Sequence, residues 1–217
     1  MRALKTALLA GVLTVAASAM PAQAEEAYKG FQAGDILVRG RALAVLPTVT
    51  SSVSAIGGNV NASSSLVPEA DITYFFTPNL AVEAIAAVTR HHIVAKGTSI
   101  GDVDLGHVTL LPPTVTAQYH FMPDSAFSPY LGAGVNYTVF FDAKTADGSA
   151  ATKIHYENTF NPAIQAGVDY HIAGNWYANF DIKHVFLATK AKINGGSING
   201  YVNLDPTIVG LGFGYKF

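Results

Sequence analysis

The sequence contains no cysteine, which excludes a disulfide scaffold, thiol catalysis and thiolate metal ligation. Charge is also scarce. Only 13% of residues are charged, against about 25% in ordinary globular domains. With 13 basic and 15 acidic side chains the formal net charge is −2, and no basic excess is present to attract nucleic acid. Beyond the first 24 residues there is no apolar run approaching the ~20 residues of a membrane-spanning helix. Yet half of all residues are hydrophobic. A chain this apolar without a spanning helix can still live in a bilayer if lipid-facing and lumen-facing residues alternate along strands. Backbone polar groups cannot stay unpaired in hydrocarbon, so such strands must close into a barrel.

The amino terminus fixes the compartment. Arg2 and Lys5 supply positive charge, Thr6 to Met20 is uncharged and mostly apolar, and Pro21-Ala22-Gln23-Ala24 precedes Glu25-Glu26. A basic start, a short apolar stretch and an A-x-A site are the parts of a secretory signal peptide; a retained amphipathic helix is the competing reading. Residues 1–24 are accordingly read as a cleaved signal, and residues 25–217 as one outer-membrane β-barrel domain.

Eight segments carry period-two patterning over the ~9–11 residues that a tilted membrane strand needs. They run from about Ala33 to Leu46, Leu66 to Phe76, Leu80 to His91, Val108 to Phe121, Phe127 to Phe141, Thr159 to Ile172, Trp176 to Ala188, and Leu204 to the end. The fourth has the cleanest alternation, Val115, Ala117, Tyr119 and Phe121 against Thr114, Thr116, Gln118 and His120. The predicted fold is all-β: an eight-stranded antiparallel up-and-down transmembrane β-barrel. The connections after the second, fourth and sixth segments are short and built from Pro, Asn, Gly and Asp, as tight turns require. Those near residues 47–65, 92–107, 142–158 and 189–203 are long and polar. Short periplasmic turns and four long extracellular loops are how outer-membrane barrels are organised. Tyr74, Phe75, Phe76, Tyr119, Phe121, Tyr130, Tyr170, Trp176, Tyr177, Tyr215 and Phe217 gather toward the short-turn end, where an interfacial aromatic girdle is expected.

Several blocks resemble the OmpW family of small outer-membrane barrels. They are Tyr74-Phe75-Phe76-Thr77-Pro78-Asn79-Leu80-Ala81-Val82-Glu83, the stretch Leu111 to Phe121, the stretch Pro129 to Thr138, Gln165 to Tyr170, and the ending Gly210 to Phe217. The resemblance implies a narrow, largely apolar channel for small hydrophobic or amphiphilic compounds. It also implies that Phe213, Tyr215 and Phe217 form the carboxy-terminal signal read by the outer-membrane assembly machinery. Lys183 and His184 depart from the pattern, where more apolar or aromatic residues are expected, so no lumenal aromatic gate is assigned.

Eight strands enclose an interior just wide enough for side chains or one small ligand, which excludes a wide aqueous pore. The inward-facing charges are Asp35, Arg39, Arg41, Glu69, Asp71, Glu83, Asp169, Asp181 and Lys183. Unpaired buried charge is costly, so they should pair into a polar plug toward the periplasmic end, with solute selection as the alternative role. Pro112-Pro113 donates no ladder hydrogen bonds and either opens a lateral seam or merely begins the regular part of a strand. The resemblance adds weight to the seam, since a proline break in related proteins has been proposed as a lateral exit. His91, His92 and His107 flank one long loop, but their spacing fits no zinc pattern, and solvated histidines are the simpler reading. The serines at 51, 52, 54 and 63–65 form no positioned triad, and Glu69 and Asp71 share a face without further sign of acid–base chemistry. No catalytic residue, cofactor or metal is predicted. The partners are outer-membrane lipid, a small hydrophobic solute and the assembly machinery, with no nucleic acid. The leading function is a conduit with a narrow lumen and a lateral exit. The alternative is a surface interaction protein, an adhesin or a bacteriocin or phage receptor, whose barrel is only an anchor. A soluble ligand-binding barrel is a distant third.

Overall fold

The computed structural model describes residues 28–53, 59–99, 101–145, 153–193 and 198–217. The expected leader, residues 1–24, lies outside the described residues. Fifteen strands are present among them. In chain order these are β1 (Ile36–Leu46), β2 (Thr50–Val53), β3 (Asn59–Ala62), β4 (Ser65–Phe75), β5 (Leu80–Ala87), β6 (Thr89–Thr98), β7 (Gly101–Leu111) and β8 (Thr114–His120). There follow β9 (Phe127–Lys144), β10 (Ile154–Tyr156), β11 (Thr159–Ala173), β12 (Trp176–Val185), β13 (Ala188–Ile193), β14 (Ile198–Asn203) and β15 (Thr207–Lys216).

Eight of these strands form the ring. Pairing runs β11-β12-β15-β1-β4-β5-β8-β9, and β9 pairs back onto β11, which closes an antiparallel barrel with no free edge. Its terminal strands meet in continuous register from Leu37↔Lys216 to Leu46↔Thr207. The expected barrel is therefore present. The described parts of the expected loops are largely strand. The upper part of β9 pairs with β7, which continues through β6 to β3, while β10, β13, β14 and β2 form a second small sheet. Segments predicted as single strands, Leu80 to His91 and Val108 to Phe121, are each interrupted, at Val88 and at Pro112-Pro113.

The barrel is inside-out relative to a soluble protein. Along β8, Thr114, Thr116, Gln118 and His120 are buried while Val115, Ala117 and Tyr119 are exposed. Leu66, Phe160, Leu211 and Phe217 stand out on the exterior at 78%, 74%, 61% and 70% exposure. Water would not tolerate such a surface, and hydrocarbon requires it. Three aromatics of the expected girdle belong elsewhere. Phe75, Tyr130 and Tyr177 are only 0%, 2% and 1% exposed, because each is one residue out of phase with an outward apolar side chain: Phe75 with Tyr74 and Phe76, Tyr130 with Leu131, and Tyr177 with Trp176. Side-chain period along a strand is two, so adjacent residues cannot share a face.

The short turns are chemically specified. Leu80 N–H donates to Thr77 Oγ1 at 2.9 Å, and Asn79 Nδ2 donates to the His120 carbonyl at 2.7 Å. Gly174 takes a positive φ of 55° between β11 and β12, a conformation that favours glycine.

Candidate functional site

Three layers fill the lumen. The lowest, at the short-turn end, is aromatic. Residues 28–35 turn back into the barrel mouth, and Phe31 stacks on Phe75 with ring centroids 4.3 Å apart and on Tyr177 at 5.1 Å. Phe31 N–H donates to the Pro123 carbonyl at 3.0 Å. Asp35 lies at this level, bonded to Lys216 at 2.9 Å. It therefore stands apart from the other charges with which the alternation had grouped it, because it sits on the chain just before β1.

The middle layer is the charged cluster, held on facing strands. Arg39 on β1 donates from Nε to Asp71 at 2.8 Å, from Nη1 to both Asp169 oxygens at 3.1 and 3.0 Å, and from Nη2 to Thr73 and Glu83 at 2.6 and 2.8 Å. Arg41, two residues along the same face, donates to Glu69 at 2.6 Å, Asn179 at 3.2 Å and Glu83 at 2.7 Å. Its Nη2 also lies 2.9 Å from Asp71 Oδ2. Glu83 is the hub. One oxygen takes the two arginines, and the other accepts from Thr116, Gln118 and Gln165 at 3.1, 3.0 and 2.8 Å. Tyr130 Oη donates to Asp181 at 3.0 Å. Of these contacts, Arg39–Asp169, the Glu83 bonds to both arginines, Arg41–Asn179, Gln165–Glu83 and Tyr130–Asp181 join strands that are not neighbours in the ring, so they lie across the lumen.

Room for this cluster comes from missing side chains. A Cβ on Gly214 would meet Arg39 Cγ at 2.7 Å, and one on Gly167 would meet the Tyr130 ring at 2.5 Å. The polar members that sequence reasoning left out of the plug (Thr73, Thr116, Gln118, Gln165 and Asn179) have the same inward parity as the charges. Phase alone could have found them.

Above the cluster the lumen turns apolar. A vestibule with a cavity volume of about 60 Å³ is walled by residues including Leu43, Val45, Leu110, Val185 and Leu187. Glu69, Lys183 and Asn136 form part of its polar floor. Its wall has a defect. The β5–β8 ladder stops at Ile85↔Thr114, and the β6–β7 ladder resumes only at Thr89↔Leu110. Pro112 and Pro113 fill the interval, but they are tied to the other side: Tyr137 N–H donates to the Pro113 carbonyl at 2.9 Å, and Asn136 Nδ2 to the Pro112 carbonyl at 3.1 Å. The gap thus faces Val88. On the opposite edge of the same strand, the β4–β5 ladder ends at Glu69↔Ala87 and the β3–β6 ladder starts at Ala62↔Ile93. Val88 therefore sits between two interruptions. Ala87, Thr89 and Pro112 beside them also line the vestibule.

The histidines divide. His92 and His107 are directly opposed, with rings 4.7 Å apart, and His92 Nε2 lies 2.8 Å from Asp104. His91 is buried instead, its Nδ1 2.7 Å from the Ser63 carbonyl. Among the described residues no group of three or more such side chains is placed to hold a metal ion. The hydrogen bonds from Gly106 N–H and His92 hold the Asp104 carboxyl below the ordinary carboxylate range.

Comparison with known proteins agrees with this architecture. The chain is 40% identical over 184 residues to an uncharacterised outer-membrane protein, y4mB, of Sinorhizobium fredii, covering 83% of this chain and 79% of that one. It is 33% identical to outer membrane protein W of Escherichia coli, over 94% of this chain and 99% of the relative. The crystal structure of OprG from Pseudomonas aeruginosa superposes with a TM-score of 0.80 at 32% identity, covering 87% of this chain and 98% of that one. The profile of the OmpW family matches residues 32–217, a span that takes in the plug, the vestibule and the closing strand, and the chain belongs to that family of Gram-negative outer-membrane barrels.

Proposed function

We propose that the barrel admits small apolar or amphiphilic molecules at its long-loop end and releases them sideways into the outer membrane. The long-loop end faces the exterior and the short turns face the periplasm, as is usual for outer-membrane barrels. The observation that carries the reading is the apolar vestibule standing on a sealed lumen, with Ala87, Thr89 and Pro112 lining it beside the broken ladders. A solute that enters meets the arginine–carboxylate layer and cannot continue along the axis. Displacing those ion pairs would leave buried charge uncompensated. Moving out through the wall exposes no charge and carries an apolar solute from one apolar environment into another.

Pro112 and Pro113 keep that wall open because their carbonyls are bonded on the β9 side and neither carries an N–H to extend the ladder. Replacing both with valine restores two donors and a β-branched strand former. In proteoliposomes, the double variant Pro112→Val/Pro113→Val should take up an apolar solute several-fold more slowly than the parent protein while keeping its strand content. Uptake at the parental rate by a folded double variant rejects the lateral route.

A further inference from the structure

We propose that Lys183 is the head-group anchor of the vestibule, and that the preferred solute has an apolar body and one neutral oxygen acceptor, such as an ester, a ketone or an alcohol. This rests on the conduit reading and names its substrate class. Among the described residues, Lys183 is the one ammonium group lining a chamber whose walls are otherwise largely aliphatic. It is 2% exposed, and its Nζ makes no hydrogen bond. Its carboxylate neighbours are distant for ion pairs, Asp181 at 3.5 Å and Glu69 at 3.8 Å. Each of these carboxyl groups also accepts a closer hydrogen bond through its other oxygen, Glu69 from Arg41 at 2.6 Å and Asp181 from Tyr130 at 3.0 Å.

An ammonium group has three donors, and a buried donor without a partner carries an energetic penalty. The arginines of the layer below have no such deficit: each makes several hydrogen bonds of 3.2 Å or shorter, beside which the 3.8 Å pair from Arg41 to Asp181 is secondary. Lys183 differs in a second respect. Its stem is flexible and unbranched, so the head can swing toward the vestibule by rotation about its own bonds, and it gives up only long ion pairs in doing so. An oxygen acceptor presented from above would then meet the donors.

The charge of the layer selects the kind of oxygen. Arg39, Arg41 and Lys183 face Glu69, Asp71, Glu83, Asp169 and Asp181, so carboxyl groups outnumber cations. A carboxylate head would add like charge to that excess, whereas a neutral carbonyl or hydroxyl gains the hydrogen bond without the repulsion.

The experiment uses proteoliposomes of the full mature protein with octane, methyl octanoate and octanoate as probes, each corrected for protein-free liposomes. The parent protein should favour methyl octanoate over octane by about tenfold, the worth of one hydrogen bond to a charged donor. Lys183→Met should bring that ratio close to one, and Lys183→Arg should keep most of it. Equal facilitated uptake of ester and alkane by the parent overturns the anchor and leaves the conduit standing. Uptake of none of the three overturns the conduit and the anchor together. Preference for octanoate over the ester overturns the assignment of a neutral head. Should Lys183→Met not fold, infrared spectra of the ester bound to the parent protein decide the matter. A carbonyl band lowered on binding supports the anchor, and an unmoved band refutes it.

Discussion

Arg39 on β1 and Glu83 on β5 meet at 2.8 Å with neither side chain open to water, although β4 separates their strands in the ring. A barrel wall alone would not need this bond, because neighbouring strands are already laced by backbone pairing. The contact works across the lumen. It joins the β1 side to the Glu83 hub, while the bonds from Arg39 to Asp169 and from Gln165 to Glu83 reach β11 from both directions.

Loss of Arg39 would leave Asp71, Glu83 and Asp169 short of a shared cation in a buried site. Breaking one partner of such a network costs about 3–5 kcal/mol. Arg39→Met is expected to lower stability by about that amount, read from urea unfolding in lipid vesicles. Arg39→Lys should fall between the two, since an ammonium offers three donors where the guanidinium offers five. A variant as stable as the parent would show that the cluster does not hold the barrel together.

Space for the network can be tested separately from its charge. Gly167→Ala places a methyl group 2.5 Å from the Tyr130 ring, and overpacking of this kind costs about 1–3 kcal/mol. Gly40→Ala meets nothing within 4 Å on the exterior face and should change stability by less than about 0.5 kcal/mol. Unfolding midpoints of the two variants, measured side by side, check the contrast.

Much of this arrangement was legible in the sequence, and the exceptions have physical causes. Alternation located the eight ring strands and placed Arg39, Arg41, Glu69, Asp71, Glu83, Asp169, Asp181 and Lys183 inside, because a period of two leaves no freedom once one face is assigned. The same parity put Phe75, Tyr130 and Tyr177 inside, but clustering of rings at one end pointed to a girdle instead. Asp35 escaped because parity says nothing about where a strand begins. The break at Val88 was invisible, since valine is a good strand former and its lost pairing originates in neighbouring strands. The sheets above the barrel were hidden too: β7, β13 and β14 bury Val103, Leu105, Val108, Leu110, Ala191 and Val202 but turn Asp102, Asp104, His107, Lys190, Lys192 and Asn203 outward, so they lack the apolar outer row that marks a lipid-facing strand.

At the loop end, pH should act through Asp104. Hydrogen bonds from Gly106 and His92 depress its folded-state pKa, so its contribution to the β6–β7 hairpin is fully present above the unfolded carboxyl value of about 3.9. It is lost as pH falls through the lower folded value. The Gly106 amide, 2.8 Å from the carboxylate, should shift with that titration in NMR spectra. Asp104→Asn should abolish the shift. A Gly106 resonance indifferent to acid would mean that the carboxylate does not hold this turn.

The short-turn end offers a further test, because its closure depends on a segment outside the ring. Phe31 is fully buried, between Phe75 and Tyr177, but residues 28–35 reach the barrel through few backbone bonds, among them Phe31 N–H to Pro123 and Gly34 N–H to the Phe75 carbonyl at 2.8 Å. Phe→Ala in a packed site costs about 3–5 kcal/mol, more than so short a tether can resist. Phe31→Ala should therefore release the segment without unfolding the barrel. Hydrogen exchange is expected to accelerate at residues 31 and 34 by at least about a hundredfold, while amides in the β1–β15 ladder keep their protection. If both sets accelerate together, the segment is an integral stave of the barrel. If neither does, the backbone bonds to Pro123 and Phe75 hold it without the ring.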